Sequence, residues 1–368
     1  MQLGASIVLK FGSNLVVRKD GGDGAWLDSV AAGIAALKGQ GRTVTVVTSG
    51  AVALGRKALK LGTKALSLEE KQAASAAGQI VLAQRWQAAL AGHGLAAAQV
   101  LLTAEDTEDR RRHLNARRTL ETLHDLGAIP IINENDTIAT AEIRVGDNDR
   151  LAARVAQMLS TETLILFSDI DGLYTDNPRH NPDAQHLAVV DKITPTIEAM
   201  ARGAITLTST GGMITKIQAA RIATAAGCTL IIANGTGLHP LETLMNGGRH
   251  TRFEPTTTPL SARKRWIAGM LQLAGTLNID AGAAKALHEG KSLLPAGITG
   301  VDGTFERGDA VGIMVGNGTL LAKGLCAYDS DELNILKGRQ TRDIAAVLGY
   351  NGRAEVVHRN DYVLLERP

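Results

Sequence analysis

Ala128-Ile-Pro-Ile-Ile-Asn-Glu-Asn-Asp136 sets a short apolar run against a cluster of amides and carboxylates. The polarity then persists through Thr137 to Gly146-Asp-Asn-Asp149, before an apolar helix expected near Leu151. An apolar run of this length bounded by turn signals reads as a buried strand. In an open α/β sheet, ligands bind outside the carboxyl ends of strands, so polar groups collected there mark a candidate site. Asp136 and Asp149 are placed to face a polar substrate, and Asn148 offers amide donors and an acceptor. Asn and Asp also cap helices and build turns, and Asp147 to Asp149 stand where an N-cap is expected; spacing alone favours that plainer reading.

The same punctuation recurs upstream. Ser6-Ile-Val-Leu-Lys-Phe-Gly12 reads as a buried strand whose end carries Lys10 and Gly12. Gly12 lets the backbone approach a ligand and Lys10 offers an ammonium to a phosphate, although a lysine beside a glycine is most often a solvated turn. Trp26 to Leu37 has helical spacing, and Thr43 to Thr48 reads as a second strand running into Ser49-Gly50-Ala51. That small step either presents N–H groups and a hydroxyl to an anion at a helix start or simply turns the chain. Leu66 to Leu90 reads as an alanine-rich helix with Ser67 and Glu70 in capping-box spacing, followed by a strand at Ala98 to Leu102. Glu105 to Leu123 reads as one helix with acids first and Arg110-Arg-Arg112 and Arg117-Arg118 later. That order complements the helix dipole and suits a solvated or interface face rather than a nucleic-acid surface.

Downstream, Thr163 to Phe167 is a further strand, ending in Ser168-Asp-Ile-Asp-Gly-Leu-Tyr174. Asp169 and Asp171 there suit a cation, a nucleotide contact or an Asp-rich turn equally well. Thr208-Ser-Thr-Gly-Gly-Met-Ile-Thr-Lys216 opens a helix expected to run through Ala226, before a strand at Thr229 to Ala233. Gly211 and Gly212 precede Lys216 without the spacing of a P-loop, so a phosphate site here must be built another way.

Six strand candidates alternating with helices predict an α/β fold with an open, mainly parallel sheet sandwiched by helices. After about residue 260 the pattern changes to short strands with Gly/Asp turns, which predicts a small β-rich domain over 275–368, joined by a linker over about 247–274. At 368 residues, two domains are the ordinary expectation. Aromatics are only 3% of the chain, so the core is expected to rest on Ala, Val, Ile and Leu. The net charge of +2 supplies no global attraction to nucleic acid or anionic membrane. Cys228 and Cys326 lie far apart in apolar surroundings and read as buried thiols of a reducing compartment. No segment resembles a signal peptide or a membrane helix, so a cytoplasmic protein is expected.

Taken in order, Val8-Leu-Lys-Phe-Gly12, Val47-Thr-Ser-Gly50, Ile132-Asn-Glu-Asn-Asp136, Val145-Gly-Asp-Asn-Asp149, Asp169-Ile-Asp-Gly-Leu-Tyr174 and Gly211-Gly-Met-Ile-Thr-Lys216 form a specific series. With it the chain resembles, nearly end to end, the amino acid kinase family in the form that carries a C-terminal PUA domain. The resemblance implies a catalytic domain over 1–260 and a PUA-like domain over 275–368. It implies ATP-dependent phosphorylation of the γ-carboxylate of L-glutamate to L-glutamyl 5-phosphate, the entry step of proline biosynthesis, with Mg²⁺. By the same resemblance Lys10 and Lys216 hold the ATP phosphates, and Asp149 orients the two lysines and helps hold Mg²⁺. Ser49, Asp136 and Asn148 bind glutamate. Ser168, Asp169 and the segment Thr210, Gly211, Gly212, Met213, Ile214, Thr215 and Lys216 line the nucleotide site. Proline as a feedback inhibitor and a homo-oligomer are further implications. Phe11 and Ile214 depart from common family residues without touching the charged framework.

Residue types at strand ends do not measure the length of a substrate, so aspartate, N-acetylglutamate, carbamate and UMP remain alternative acceptors within this fold. A different class of reading is an RNA-binding protein with a regulatory N-terminal domain. Residues 270–368 hold ten Lys/Arg against twelve Asp/Glu and few aromatics, which argues against a phosphate-driven surface there. Four net positive charges gather between Arg249 and Arg265.

Overall fold

Alternation of buried side chains along the strands of the first half builds a sheet covered on both faces. A computed structural model describes residues 3–18, 23–138, 148–203, 212–269, 272–316 and 318–365. The chain divides into two compact units, Met1–Pro259 and Leu260–Pro368.

In the first unit the strands are β1 (Ser6–Phe11), β2 (Thr43–Thr48), β3 (Ala97–Leu102), β4 (Ile129–Glu134), β5 (Thr163–Ser168), β6 (Leu173–Tyr174), β7 (His186–Leu187), β8 (Val189–Val190), β9 (Thr229–Asn234) and β10 (His250–Phe253). The helices are α1 (Ser13–Val16), α2 (Asp23–Gly39), α3 (Ala51–Ala58), α4 (Leu68–Ala91), α5 (Ala104–Glu108), α6 (Arg110–Asp125), α7 (Asn148–Leu159), α8 (Pro195–Gly203), α9 (Met213–Ala225) and α10 (Pro240–Met245). The large sheet runs β3-β4-β2-β1-β5-β9-β10-β8, and β6 pairs β7 separately. Neighbours from β3 to β9 are parallel, whereas β10 runs antiparallel to β9. The open, mainly parallel sheet expected from the sequence is present. β1 lies at its centre, where the chain turns from building one side of the sheet to building the other, which is where such sheets bind ligands.

Period-two geometry explains both cores. Ile7, Leu9 and Phe11 of β1 pack in one buried cluster with Trp26 of α2, Leu54 of α3 and Trp86 of α4. Val8 faces the opposite cluster, with Ala152 and Val155 of α7 and Ile217 and Ala220 of α9. Lys10 shares the face of Val8, so the pleat itself delivers its ammonium to α7 and α9. The scarce aromatics gather on the other face: Phe11 meets Trp26 edge-on at 5.4 Å between centroids and stacks on Phe167 at 5.3 Å. They make a stiff floor under the strand end that carries the lysine.

Helices α3 and α4 cross at glycines. A Cβ on Gly55 would stand 1.6 Å from the Ala74 carbonyl oxygen, and one on Gly78 would stand 1.8 Å from that of Ala51. Backbone faces backbone, so no side chain can yield. Gly78→Ala is therefore expected to lose roughly 1–3 kcal/mol or more of stability, the usual cost of overpacking. Urea denaturation measures this, and an unshifted midpoint would show that the helices part freely. At its other end α4 begins with the capping box read from the sequence, in which Ser67 accepts from the Glu70 N–H and Glu70 from the Ser67 N–H.

Two local readings differ from the structure. The single helix expected over Glu105–Leu123 is broken at Asp109, which has extended ψ and accepts from the Arg112 N–H as the N-cap of α6. Local capping by Thr103 and then by Asp109 wins over continuous helix propensity. The segment 247–274 contains β10 and a further helix, α11 (Pro259–Ala268), where a linker was expected. β10 does alternate, with Thr251 and Phe253 inward and His250 and Arg252 half-buried, but four residues beside two glycines hide that signal.

The second unit holds a five-stranded sheet built from β11 (Gly275–Ile279), β12 (Ile298–Gly303), β13 (Ala310–Val315), β14 (Thr319–Leu325) and β15 (Tyr362–Leu364), in the order β12-β11-β13-β14-β15. Leu277, Ile313, Tyr328, Leu333 and Val357 form its core. Arg263 is tied to Asp361 at 2.7 Å within this unit. No helix among the described residues is long and apolar enough to cross a membrane.

Candidate active site

One carboxylate joins three elements at the carboxyl end of β1. Asp149 occupies the first turn of α7, where the helix dipole favours an acid. Its Oδ1 lies 2.6 Å from Lys10 Nζ, and its Oδ2 lies 2.9 Å from Lys216 Nζ in the first turn of α9. The Thr215 hydroxyl stands 3.0 Å from the same Oδ2. All three charged groups are buried. Burial by itself pushes the Asp149 carboxyl up, but the ammonium groups of Lys10 and then Lys216 outweigh it and hold the carboxyl well below the ordinary carboxylate range. Two ammonium groups converge on one carboxylate in a buried position. An arrangement of this kind stabilises added negative charge more strongly than it would in solvent.

A second group of polar residues gathers at the ends of β2 and β4. Gly50 adopts φ 113 as it turns β2 into α3, a conformation that an L side chain rarely takes. That turn sets Ser49 beside α7. Asn148 Nδ2 lies 2.7 Å from Ser49 Oγ, 3.1 Å from the Thr48 carbonyl oxygen and 3.1 Å from Asn133 Oδ1. Asn133 Nδ2 in turn donates to Gln79 Oε1 of α4 at 2.8 Å. Asp136, just past β4, accepts from the Ser75 hydroxyl of α4 through Oδ2 at 2.7 Å. Asp136 Oδ1 and Asn148 Oδ1 are buried and have no hydrogen-bond partner among the described residues. Burial pushes the Asp136 carboxyl above its ordinary range, and the Ser75 hydroxyl opposes this only in part. Buried acceptors without partners are costly, which points to a ligand that brings donors.

A family model described as Amino acid kinase family matches residues 5–234. The chain belongs to the amino acid kinase family. Its C-terminal residues 275–348 match a model described as PUA domain. Among relatives, the chain is 56% identical to a glutamate 5-kinase of Paramagnetospirillum magneticum, over 97% of both chains. It is 56% identical to a glutamate 5-kinase of Agrobacterium fabrum over 97% of this chain and 92% of that one. A glutamate 5-kinase of Brucella ovis is 55% identical over 97% of this chain and 95% of its own.

For this amino acid kinase the structure brings Lys10, Asp149, Lys216 and Thr215 into one cluster, and Ser49, Asn148, Asn133 and Asp136 into another that meets the first through the adjacent pair Asn148 and Asp149. Gly212 caps α9, with Met213 buried and Ile214 partly buried in the helix beyond it. Thr210 and Gly211 lie outside the described residues, as does Asp147. Ser168 ends β5 and accepts weakly from the Ile170 N–H, at 3.4 Å. Asp169 forms an exposed ion pair with Arg179 at 3.0 Å, and Asp171 accepts from the Tyr174 hydroxyl at 2.9 Å. Among the described residues, no group of three or more His, Cys, Asp or Glu is placed to hold a metal. Sequence reasoning passed over Ser75 and Gln79. Their signal was two polar residues four apart on the buried side of an alanine-rich helix.

Proposed function

We propose that this amino acid kinase transfers the γ-phosphoryl group of ATP to the γ-carboxylate of L-glutamate, forming L-glutamyl 5-phosphate, the first step of proline biosynthesis. The observation that carries the reading is the pair of buried lysines held on Asp149, directly beside a polar cluster in which two buried acceptors have no partner among the described residues. The glutamate 5-kinases that match the chain over nearly its whole length support it. A γ-carboxylate oxygen forms the new O–P bond while the β–γ bridging bond breaks and its electrons leave on ADP. The acceptor is already ionised near neutral pH, so no general base is needed. Lys10 and Lys216 receive the charge that spreads over the transferring group. Asp149 keeps both ammonium groups aimed at it. Ser168, Asp169 and the residues from Thr210 to Lys216 line the nucleotide side, and Ser49, Asp136 and Asn148 hold glutamate, whose α-ammonium brings donors to the two open oxygens. Asp149 is a poor direct ligand for Mg²⁺, because both its oxygens face ammonium groups that repel a dication, and no step here is routed through a metal.

ATP turnover measured with L-glutamate, aspartate, N-acetylglutamate, carbamate and UMP tests the reading, and preference for any acceptor but L-glutamate would overturn it. Asp136→Asn is expected to raise the glutamate KM about tenfold or more, the worth of a charge-assisted hydrogen bond, and to leave the ATP KM nearly unchanged. In the parent enzyme the glutamate KM should climb as pH falls through a pKa above the usual carboxylate range, because the raised Asp136 carboxyl takes a proton there. A raised ATP KM with an unchanged glutamate KM would reverse the two half-sites. Proline keeps an α-carboxylate and a cationic nitrogen but lacks the reacting group. It fits the same pocket, so saturating glutamate should displace it.

A further inference from the structure

Helix α4 carries no residue of the phosphate centre, yet two of its side chains end on the acceptor pocket. Ser75 and Gln79 stand four residues apart and so share a face. Ser75 is buried and donates to Asp136 Oδ2. A hydroxyl has one proton to give, so this bond engages one carboxylate oxygen and leaves Oδ1 as the open one. Gln79 acts at longer reach. Its Oε1 takes the amide protons of Asn133, which turns Asn133 Oδ1 toward Asn148. Asn148 must then present Nδ2 to Asn133 and Ser49, and its Oδ1 is left open. The two bonds from α4 therefore decide which two atoms of the pocket stay unpartnered.

We infer that Ser75 and Gln79 are positioning residues that preset the site for a cationic amine, by fixing the open oxygens of Asp136 and Asn148 before the acceptor arrives. The inference rests on the proposed acceptor being an amino acid bound through its ammonium group. Two fixed acceptors suit a group with three N–H donors. An N-acylated amine offers one N–H and a carbonyl oxygen, which two acceptors repel. Selection thus falls on a cationic amine over an N-acylated one. The α3–α4 crossing at Gly55 and Gly78 ties this preset to the backbone, since Gly78 lies between Ser75 and Gln79 and cannot slide along α3.

The test compares the full chain with Ser75→Ala, Ser75→Thr, Gln79→Met and Gln79→Glu, using L-glutamate and N-acetylglutamate as acceptors and calorimetry for binding. Ser75→Ala and Gln79→Met should each raise the glutamate KM about tenfold with kcat and the ATP KM within about threefold of the parent, as loss of a positioning hydrogen bond predicts. Ser75→Thr, which keeps the hydroxyl, and Gln79→Glu, which keeps the acceptor, should restore most of the affinity. The preference for glutamate over N-acetylglutamate should narrow in the two disruptive variants. Equal loss in the conservative and disruptive variants, or ATP and glutamate weakening together, would reduce Ser75 and Gln79 to packing. Parent enzyme that binds no glutamate would sink the functional reading, whereas parent enzyme that binds it as tightly as Ser75→Ala and Gln79→Met do would sink this inference alone.

Discussion

Lys216→Ala is expected to fold and to lose about 10²–10³-fold in kcat, the scale of removing one preorganised electrostatic donor from a transferring group. Lys10→Ala should behave alike. The fold survives because the remaining lysine still pairs with Asp149, at 2.6 Å for Lys10 or 2.9 Å for Lys216, so no buried charge is orphaned. What disappears is one of the two ammonium groups proposed to meet the incoming phosphoryl charge. The loss should fall on kcat and on kcat/KM together, because the charge is greatest in the transition state. Steady-state kinetics with ATP and glutamate decide it. Turnover within a few fold of the parent in either variant would remove that lysine from the chemistry.

The opposite substitution attacks the fold. Asp149→Ala leaves two ammonium groups buried side by side with no anion between them. Removing one partner of a buried pair typically costs about 3–5 kcal/mol, and here both lysines lose theirs. Denaturation at neutral pH should show the loss directly. The pH dependence has a definite sign. The Asp149 carboxyl is depressed in the folded protein, so its contribution is complete above the ordinary aspartate range and is lost as pH falls through the folded pKa. The gap between parent and variant should therefore stay constant down to about pH 4 and shrink only below it. A gap that closes already at pH 6 would overturn the assignment of this stability to the Asp149 carboxylate. Added ATP should recover part of the variant's lost stability, since its phosphates bring the missing negative charge.

Much of this architecture was legible from residue order. β1, β2, β4, β5 and β9 are nearly continuous apolar runs, because helices cover both faces of the sheet and no solvent face breaks the pattern. Lys10, Ser49, Asn133, Asp136 and Ser168 announced themselves as polar residues at the ends of such runs. β10 did not, since its alternation spans only four residues. Asp109 was read as one acid among several, because a cap is decided by its own backbone angle rather than by composition. Ser75 and Gln79 were hidden for a different reason. Their role depends on a helix crossing made by two glycines more than twenty residues apart, and nothing local in an alanine-rich helix announces which of its faces will meet a pocket.

The central place of β1 also bears on how the chain comes off the ribosome. Ser6–Phe11 is made before the other strands and pairs with β2 at residues 43–48, but its other edge waits for β5 at residues 163–168. During synthesis of the intervening stretch, an apolar strand edge stands open to any other chain nearby. Closing a contact that spans some 150 residues is slow compared with local pairing. A nascent chain stalled before residue 163 should therefore be prone to aggregate and to recruit chaperones, and one stalled beyond β9 should be protected. The same strand that carries Lys10 thus sets the point in translation after which the first unit can close.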